Sequence, residues 1–265
     1  MSVVATSWLD SPLGRRDPAV KLAVLFLVSI GLLFVLDPVT PALVYLLGLI
    51  GVRVAGRIPP GVLVRAQVPF LGFALGVLAV NAVSRPGAVL AELGPLRITQ
   101  EGVMVGVALA ARTAALGILA VGFVLSTDAV ALITSLHRHA RLGARPSYAL
   151  LAGYRLLEQL PREWTTIRQA QAVRAPLRSN GTVRGGPRAW ASAAFTLLVV
   201  AIRRGERMAC SLESRGLGSG PRTVWRPARI GRADLVCAAT VLAVFGAVVG
   251  AAGALGLLRG PGALF

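Results

Sequence analysis

The chain has 265 residues, of which 55% are hydrophobic and only 15% are charged, and its net charge is +17. Soluble domains carry about 25% charged residues, so this composition excludes an ordinary soluble fold and favours an integral membrane protein. The positive charge could indicate a nucleic-acid partner, but the Arg residues lie beside apolar runs, where membrane proteins place them. The sequence therefore argues against nucleic-acid binding.

Five apolar segments are predicted to cross a hydrocarbon core of about 30 Å as helices. They are approximately residues 20–36, 39–55, 69–83, 102–125 and 235–257. The third segment is short and could extend back toward Leu63, and residues 87–100 after it are predicted to form a loop. The expected architecture is therefore all-α, with a membrane domain of four spans (1–125), a polar segment (126–234), and a last span with a short tail (235–265).

The distribution of Arg and Lys predicts the orientation of the spans, because cytoplasmic connections carry an excess of positive charge. The N-terminal tail, the connection at 53–65 and the polar segment are basic, whereas the other connections are nearly neutral. The polar segment alone holds 18 of the 28 Lys and Arg residues but 6 of the 11 acidic residues. A multi-pass protein with a cytoplasmic N-terminus is the prediction.

The polar segment is predicted to contain three amphipathic helices, at about 128–141, 147–174 and 189–215. Pro161 is expected to kink the second helix, and Gly216 is a natural end for the third. The apolar run 189–202 would cover only about 21 Å, short of a full span. It would also carry the eight Arg residues of 203–232 to the outside. It is therefore predicted to lie along the membrane or on other helices.

Several polar and small residues could have a structural or a functional role. Arg112 lies inside the fourth span, where a charge must be paired or face a polar interior, and Asn81 is one possible partner. The pair His137 and His139 lacks a third ligand, so no metal site is predicted, and the two cysteines imply no disulfide framework. Three Gly-x-x-x-Gly motifs, at 72–76, 102–106 and 246–250, could pack helices together or against a second membrane subunit.

The second and third amphipathic helices end alike, each with an Arg followed by a small residue. One reads Ala170-Gln171-Ala172-Val173-Arg174-Ala175, and the other reads Leu212-Glu213-Ser214-Arg215-Gly216. With these endings the chain resembles the transmembrane T component of energy-coupling factor (ECF) transporters. The resemblance covers nearly the whole chain. It also includes Asp17-Pro18-x-x-Lys21, Ser126-Thr127-Asp128, Gly143-x-x-Pro146, Tyr154-Arg155 with Pro161, Arg203-Arg204-x-Glu206-Arg207, and Arg222-Thr223.

The resemblance implies that Arg174 and Arg215 dock onto two ATP-hydrolysing subunits, where an acidic residue receives each Arg. Ala172, Ala175, Ser214 and Gly216 would be their small neighbours. Arg suits this role because its rigid fork of donors pairs bidentately with a carboxylate. The chain departs from the family pattern at Val173-Arg174-Ala175, where the family prefers Ala and Gly.

The implied function is a non-catalytic scaffold in the plasma membrane. It would couple two ATP-binding-cassette subunits to a small membrane protein that captures a vitamin or a transition-metal ion. No cofactor is implied, and the sequence has no Gly-x-x-x-x-Gly-Lys-Ser/Thr loop for ATP. The alternative is a membrane-bound enzyme acting on a lipid or polyprenyl phosphate. That chemistry usually needs clustered carboxylates for Mg²⁺, and the five Asp residues are isolated in sequence.

Overall fold

The computed structural model describes residues 8–35, 37–93, 96–174, 186–217, 220 and 230–256. Within these residues the chain forms eight helices and one two-stranded hairpin, numbered here in chain order. They are α1 (Pro18–Leu33), α2 (Val39–Gly56), α3 (Pro60–Ser84), β1 (Val89–Leu93), β2 (Leu96–Thr99), α4 (Gln100–Leu125), α5 (Ala129–His139), α6 (Ala144–Arg174), α7 (Pro187–Ser214) and α8 (Arg232–Ala254).

The prediction of an all-α integral membrane protein is confirmed. Among the described residues, α2, α3, α4 and α8 are long and apolar enough to cross a membrane. The first predicted span corresponds to α1, an apolar helix of 16 residues that covers about 24 Å. Helix α7, which contains the apolar run 189–202, is not among the four.

The third span begins earlier than its predicted start near residue 69. Helix α3 starts at Pro60 and keeps Pro69 in its interior. A proline inside a helix is tolerated in membrane proteins because neighbouring helices satisfy the freed backbone groups. The polar Gln67 within this extension is only 3% exposed, and its Nε2 donates to the Ala114 carbonyl of α4 at 2.8 Å.

The connection between α3 and α4 is a β-hairpin, where the sequence predicted a loop. Its strands are antiparallel, pairing Val89 with Thr99 and Leu93 with Leu96, with an irregularity after Val89. The hairpin leads directly into α4. The Thr99 hydroxyl donates to the Arg85 carbonyl at 2.9 Å and accepts the Gly102 N–H at 3.2 Å, so it caps the first turn of α4.

The chain divides into two compact units. The first comprises residues 1–128 and 229–265, and the second comprises 129–228. Helix α4 is central to the first unit, because its buried residues contribute to two apolar clusters. One cluster contains Val52, Ile58, Leu63, Ile118 and Val121, and the other contains Val28, Leu32, Val44 and Ala115.

The start of α1 is joined to the end of α4 by Lys21. Its Nζ donates to the Ser126 carbonyl at 2.7 Å and to the Leu13 carbonyl at 3.2 Å, and it lies 3.4 Å from Ser126 Oγ. A cation at this position satisfies the unpaired carbonyls at a helix C-terminus. Lys21 and Ser126 belong to two separate segments of the family resemblance, and the fold brings those segments into contact.

We expect Lys21→Met to lower the free energy of unfolding by about 2–3 kcal/mol, because the Ser126 and Leu13 carbonyls lose a charged donor. A denaturation titration of the purified chain in detergent measures this change. Arg53→Met is the control, since Arg53 is an exposed cation in the last turn of α2. An equal effect of the two substitutions would show that Lys21 acts only through its charge.

Candidate functional site

Helices α6 and α7 pack side by side and antiparallel. Arg204 of α7 contacts Glu163 of α6 at 2.7 Å, and its Nη1 donates to Gln159 Oε1 at 2.6 Å. Further along, Gln171 Nε2 of α6 donates to Ser192 Oγ of α7 at 3.3 Å. Residue numbers rise along α6 as they fall along α7, which defines the antiparallel direction of the pair.

An aromatic pair adds apolar contact to this interface. The rings of Trp164 and Trp190 have their centroids 5.7 Å apart and meet edge to face at 62°. Edge-to-face packing of two aromatic rings contributes about 0.5–1.5 kcal/mol beyond the burial of their surface. The ion pair at Arg204 and the ring pair at Trp164 therefore connect the two helices at two positions.

The antiparallel arrangement places the two Arg endings at opposite ends of the helix pair. The contact between Gln171 and Ser192 puts Arg174 beside about residue 189 of α7. Arg215 lies 26 residues further along α7, so the two arginines are separated by about 39 Å along the pair.

The first Arg ending is the C-terminus of α6. Arg174 is the last residue of the helix and is exposed, and the preceding Val173 is 88% exposed. Ala172 is half-buried on the same turn. Ala175, the predicted small neighbour on the other side, lies outside the described residues.

The second Arg ending has a defined cap. The Gly216 N–H donates to the Glu213 carbonyl at 2.8 Å, the Leu217 N–H donates to the Leu212 carbonyl at 3.0 Å, and Gly216 has a positive φ of 77°. These two bonds form a Schellman motif. Arg215 and Ser214 are both exposed at this end. The backbone of the helix end is thus fixed, and with it the position from which Arg215 projects.

We expect Gly216→Ala to lower the free energy of unfolding by about 1–2 kcal/mol, because an L-residue is strained at a positive φ. Gly205→Ala in the same helix should raise it by up to about 1 kcal/mol, since an added Cβ meets no atom within 4 Å and Ala favours helix. Thermal melts of both variants, followed by circular dichroism, test these opposite signs. A shift of the same sign for both would contradict the role of Gly216 in the cap.

Arg112 belongs to the first unit and is not part of the helix pair. Its Nη2 donates to the Val35 carbonyl, just beyond the end of α1. The recorded partner is thus a backbone carbonyl rather than Asn81, whose Nδ2 donates to Val77 in its own helix at 2.8 Å. Two residues after Val35, the buried Asp37 accepts the N–H of Thr40, in the first turn of α2, at 2.7 Å. Arg112 therefore contacts the turn between α1 and α2.

The two histidines lie near the junction of α5 and α6. His137 Nδ1 donates to the Leu142 carbonyl at 2.6 Å and lies 3.0 Å from Ser147 Oγ, whereas His139 is exposed and lies beside Ser135. Within the described part of the chain, no three His, Cys, Asp or Glu side chains are placed to hold a metal ion. Cys210 and Cys237 are both free thiols.

The ion pair between Glu163 and Arg204 is the contact that sequence reasoning missed. A possible signal was the opposite charge of the two residues near the middle of two neighbouring amphipathic helices. That signal is weak, however, because the chain has 28 basic residues and many pairings satisfy it.

The fold and site define a multi-pass membrane protein with a separate helical unit whose two longest helices end in exposed arginines. The family model described as "CbiQ: Cobalt transport protein" matches residues 10–224, and the chain belongs to that family. It is accordingly a transmembrane component of an ECF-type transporter.

Similar proteins cover most of the chain. The energy-coupling factor transporter transmembrane protein EcfT of Heliobacterium modesticaldum is 29% identical over 89% of this chain and 92% of its own length. EcfT of Thermosediminibacter oceani is 28% identical over 91% of this chain and 94% of its own length. A putative ABC transporter ATP-binding protein of Bifidobacterium longum is 28% identical over 90% of this chain, but the match covers only 32% of that protein.

Proposed function

We propose that this chain is the coupling subunit of an ECF-type ABC importer. In this proposal it binds two ATPase subunits through Arg174 and Arg215 and transmits their movement to a separate small membrane protein. That partner captures the substrate, a vitamin or a transition-metal ion. The chain itself has no catalytic role.

The observation that carries the proposal is the separation of the two Arg endings. Each exposed Arg projects from a helix C-terminus, and the antiparallel pairing keeps the two about 39 Å apart. One surface could not receive both arginines unless it were very large, whereas two separate subunits could receive one each. The helix endings therefore fit two partners better than one.

The chemistry of the endings fits an acidic groove on each partner. A guanidinium group keeps its charge and makes two parallel hydrogen bonds to a carboxylate. Ala172 beside Arg174, and Ser214 and Gly216 beside Arg215, are small enough for another backbone to approach closely. Together these residues form the proposed ATPase-binding sites, with Ala175 as a further member.

The Bifidobacterium relative supports an ATPase partner independently of the geometry. Its name describes an ATP-binding protein, and a third of its length is similar to nearly all of this chain. Such a polypeptide combines a region similar to this chain with ATP binding. For this chain we infer that the same two functions reside in separate subunits.

The contacts between α6 and α7 suggest how movement is transmitted. Because Arg204 holds Glu163 and Gln159, a displacement of one helix end moves the other helix as well. We propose that residues 126–234 act as the cytoplasmic coupling domain between the four N-terminal spans and the last one. ATP-driven approach of the two ATPases would then tilt the helix pair and turn over the substrate-capturing partner.

The charge distribution supports a plasma-membrane location with the N-terminus in the cytoplasm. Arg15 and Arg16 precede α1, and Arg53 and Arg57 lie at the end of α2. Two antiparallel spans place these four residues on one side of the membrane. The same charge bias assigns the Arg-rich segment, where the ATPases would bind, to that side.

The test is co-purification from gently solubilised membranes of cells that make the tagged chain. We expect ATPase subunits and a small membrane protein with the wild type, and loss of the ATPases with the Arg174→Glu, Arg215→Glu double variant. The matched control is Arg162→Glu, Arg203→Glu. Both control residues are exposed, and each lies 12 residues before its helix ending, about 18 Å away.

The control separates a local effect of the helix endings from a loss of total positive charge. Equal loss of ATPases in both double variants would assign binding to overall charge and remove the special role of Arg174 and Arg215. Absence of any ATPase with the wild-type chain would overturn the proposed coupling function.

A further inference from the structure

The first unit contains a cavity of about 420 Å³ that the proposed coupling function does not use. Four helices, α1, α2, α4 and α8, and the segment before α1 form its walls. Most of the wall is apolar, with Val24 and Val28 on α1, Leu47 on α2 and Val244 on α8 as examples. Its volume lies within the usual range of about 300–1,000 Å³ for small-ligand sites.

The cavity lies along the apolar helices of the first unit. On α8 its lining runs from Asp234 to Val248, which corresponds to about 21 Å. This length exceeds one leaflet of a hydrocarbon core of about 30 Å. Ile50, one of the lining residues, is 59% exposed on α2, so the cavity reaches a helix face that the bilayer would cover. In a bilayer, the apolar groups next to this face are the acyl chains of lipids.

The polar lining residues gather mainly at one end of the cavity, where α1 and α8 begin and α4 ends. They include Lys21, Ser126, Asp234 and Arg16. Lys21 is engaged by the Ser126 and Leu13 carbonyls. The Asp234 carboxylate accepts the Gly231 N–H at 2.8 Å and the Asp17 N–H at 3.2 Å.

At this end of the cavity, Arg16 is the side chain whose N–H donors are available to a ligand. Its contact with Asp234 is long, at 4.0 Å, and its side chain is 32% exposed. A guanidinium group has five N–H donors and binds phosphate bidentately. The exposed Arg53 and Arg57 at the end of α2 add positive charge on the same side, because the Leu13 N–H donates to the Ala55 carbonyl at 3.0 Å. Anionic headgroups accumulate at basic surfaces of this kind.

We propose that this cavity binds one acyl chain of an anionic phospholipid, whose phosphate is held by Arg16 at the polar end. The apolar wall accommodates the chain, and the rim selects the headgroup. The bound lipid fills the space between α1, α2, α4 and α8 that the cavity leaves empty.

The glycines of the chain provide matched variants for a test. Gly51 lines the cavity, and a Cβ added there meets no atom within 4 Å, so Gly51→Phe can fill the space without a backbone clash. Ala238→Phe fills it from the opposite wall, on α8. Gly246→Phe is the control, because Gly246 is equally open but does not line the cavity.

The experiment reconstitutes the full chain in vesicles of equimolar phosphatidylcholine and phosphatidylglycerol, and counts the retained phospholipids by native mass spectrometry. We expect one retained lipid for wild type and for Gly246→Phe, with phosphatidylglycerol favoured about tenfold, as one charge-assisted contact would give. Gly51→Phe and Ala238→Phe should each reduce retention at least about tenfold. Arg16→Gln should keep a lipid but lose the preference for phosphatidylglycerol.

Three results would overturn the proposal. Wild-type protein that retains no phospholipid would exclude the site. Equal retention by Gly246→Phe and by both cavity-filling variants would place the lipid elsewhere on the surface. An unchanged headgroup preference in Arg16→Gln would exclude the phosphate contact. Ala238→Phe keeps the test decisive if Gly51→Phe fails to fold, and circular dichroism of each variant establishes which of them are folded.

Discussion

Arg215→Glu is expected to weaken binding of the purified ATPase subunit to this chain by at least about a hundredfold. Removing one member of a desolvated charge pair at an interface costs about 2–5 kcal/mol, equivalent to about thirtyfold to several-thousandfold in the dissociation constant. Reversing the charge would add repulsion from the acidic groove proposed for the ATPase. The Schellman motif at Gly216 fixes the backbone beside Arg215, so the chain cannot easily move another Arg into its place.

The measurement is a binding titration in detergent or nanodiscs with the purified ATPase subunit. Arg203→Glu is the control in the same helix, because it makes the same charge change at an exposed position 12 residues earlier. We expect that control to stay within about threefold of wild type. Arg215→Lys should give an intermediate loss, because an ammonium group keeps the charge but not the bidentate geometry. If Arg215→Lys binds as wild type does, charge alone is sufficient.

The helices that carry the two Arg endings were predictable because they are encoded locally. Amphipathic periodicity located α6 and α7 to within three residues, and Gly216 marked the end of the second helix. Their antiparallel pairing was not predicted, since it depends on contacts such as Glu163 with Arg204 that lie 41 residues apart in sequence. The separation of the two arginines follows from that pairing and was therefore absent from the sequence analysis.

In the first unit, too, contacts between residues distant in sequence could not be predicted. The third span was predicted to begin near Pro69, with a possible extension toward Leu63, whereas α3 begins at Pro60 and Gln67 within it donates to α4. The partner of Arg112 is a backbone carbonyl, and any residue can supply one, so no side-chain pattern identifies it. The hairpin was missed because its two strands are short and stand in a segment that contains charged residues and a Gly-Pro pair.

The three Gly-x-x-x-Gly motifs look equivalent in sequence, but their surroundings differ. A Cβ added at Gly102 would lie 2.4 Å from the Asn81 carbonyl oxygen and 2.7 Å from Thr99 Oγ1, and one added at Gly106 would lie 3.0 Å from the Leu78 carbonyl oxygen. At the other two motifs, 72–76 and 246–250, an added Cβ meets no atom within 4 Å. Only the motif at 102–106 therefore brings two helices of this chain, α3 and α4, into close contact.

Gly102→Leu is expected to lower the free energy of unfolding by about 3 kcal/mol or more, because the atom it would meet first belongs to the α3 backbone and cannot rotate away. Gly246→Leu should leave the free energy of unfolding unchanged or raise it by up to about 1 kcal/mol, through better helix propensity. Denaturation titrations of the two purified variants in detergent measure both values. Similar values for the pair would mean that α3 and α4 adjust to an added side chain without loss of packing.

The same two variants also test whether the Gly-x-x-x-Gly motif at 246–250 on α8 contacts the small membrane subunit. Small residues let membrane helices approach closely, and the face of α8 around Gly246 and Gly250 is uncovered in the described part of this chain. If the small membrane subunit packs there, Gly246→Leu should reduce its co-purification although the chain itself remains stable. Unchanged recovery of that subunit would exclude this face of α8 as its contact surface. A loss of the ATPases together with the subunit would indicate general damage to the complex instead.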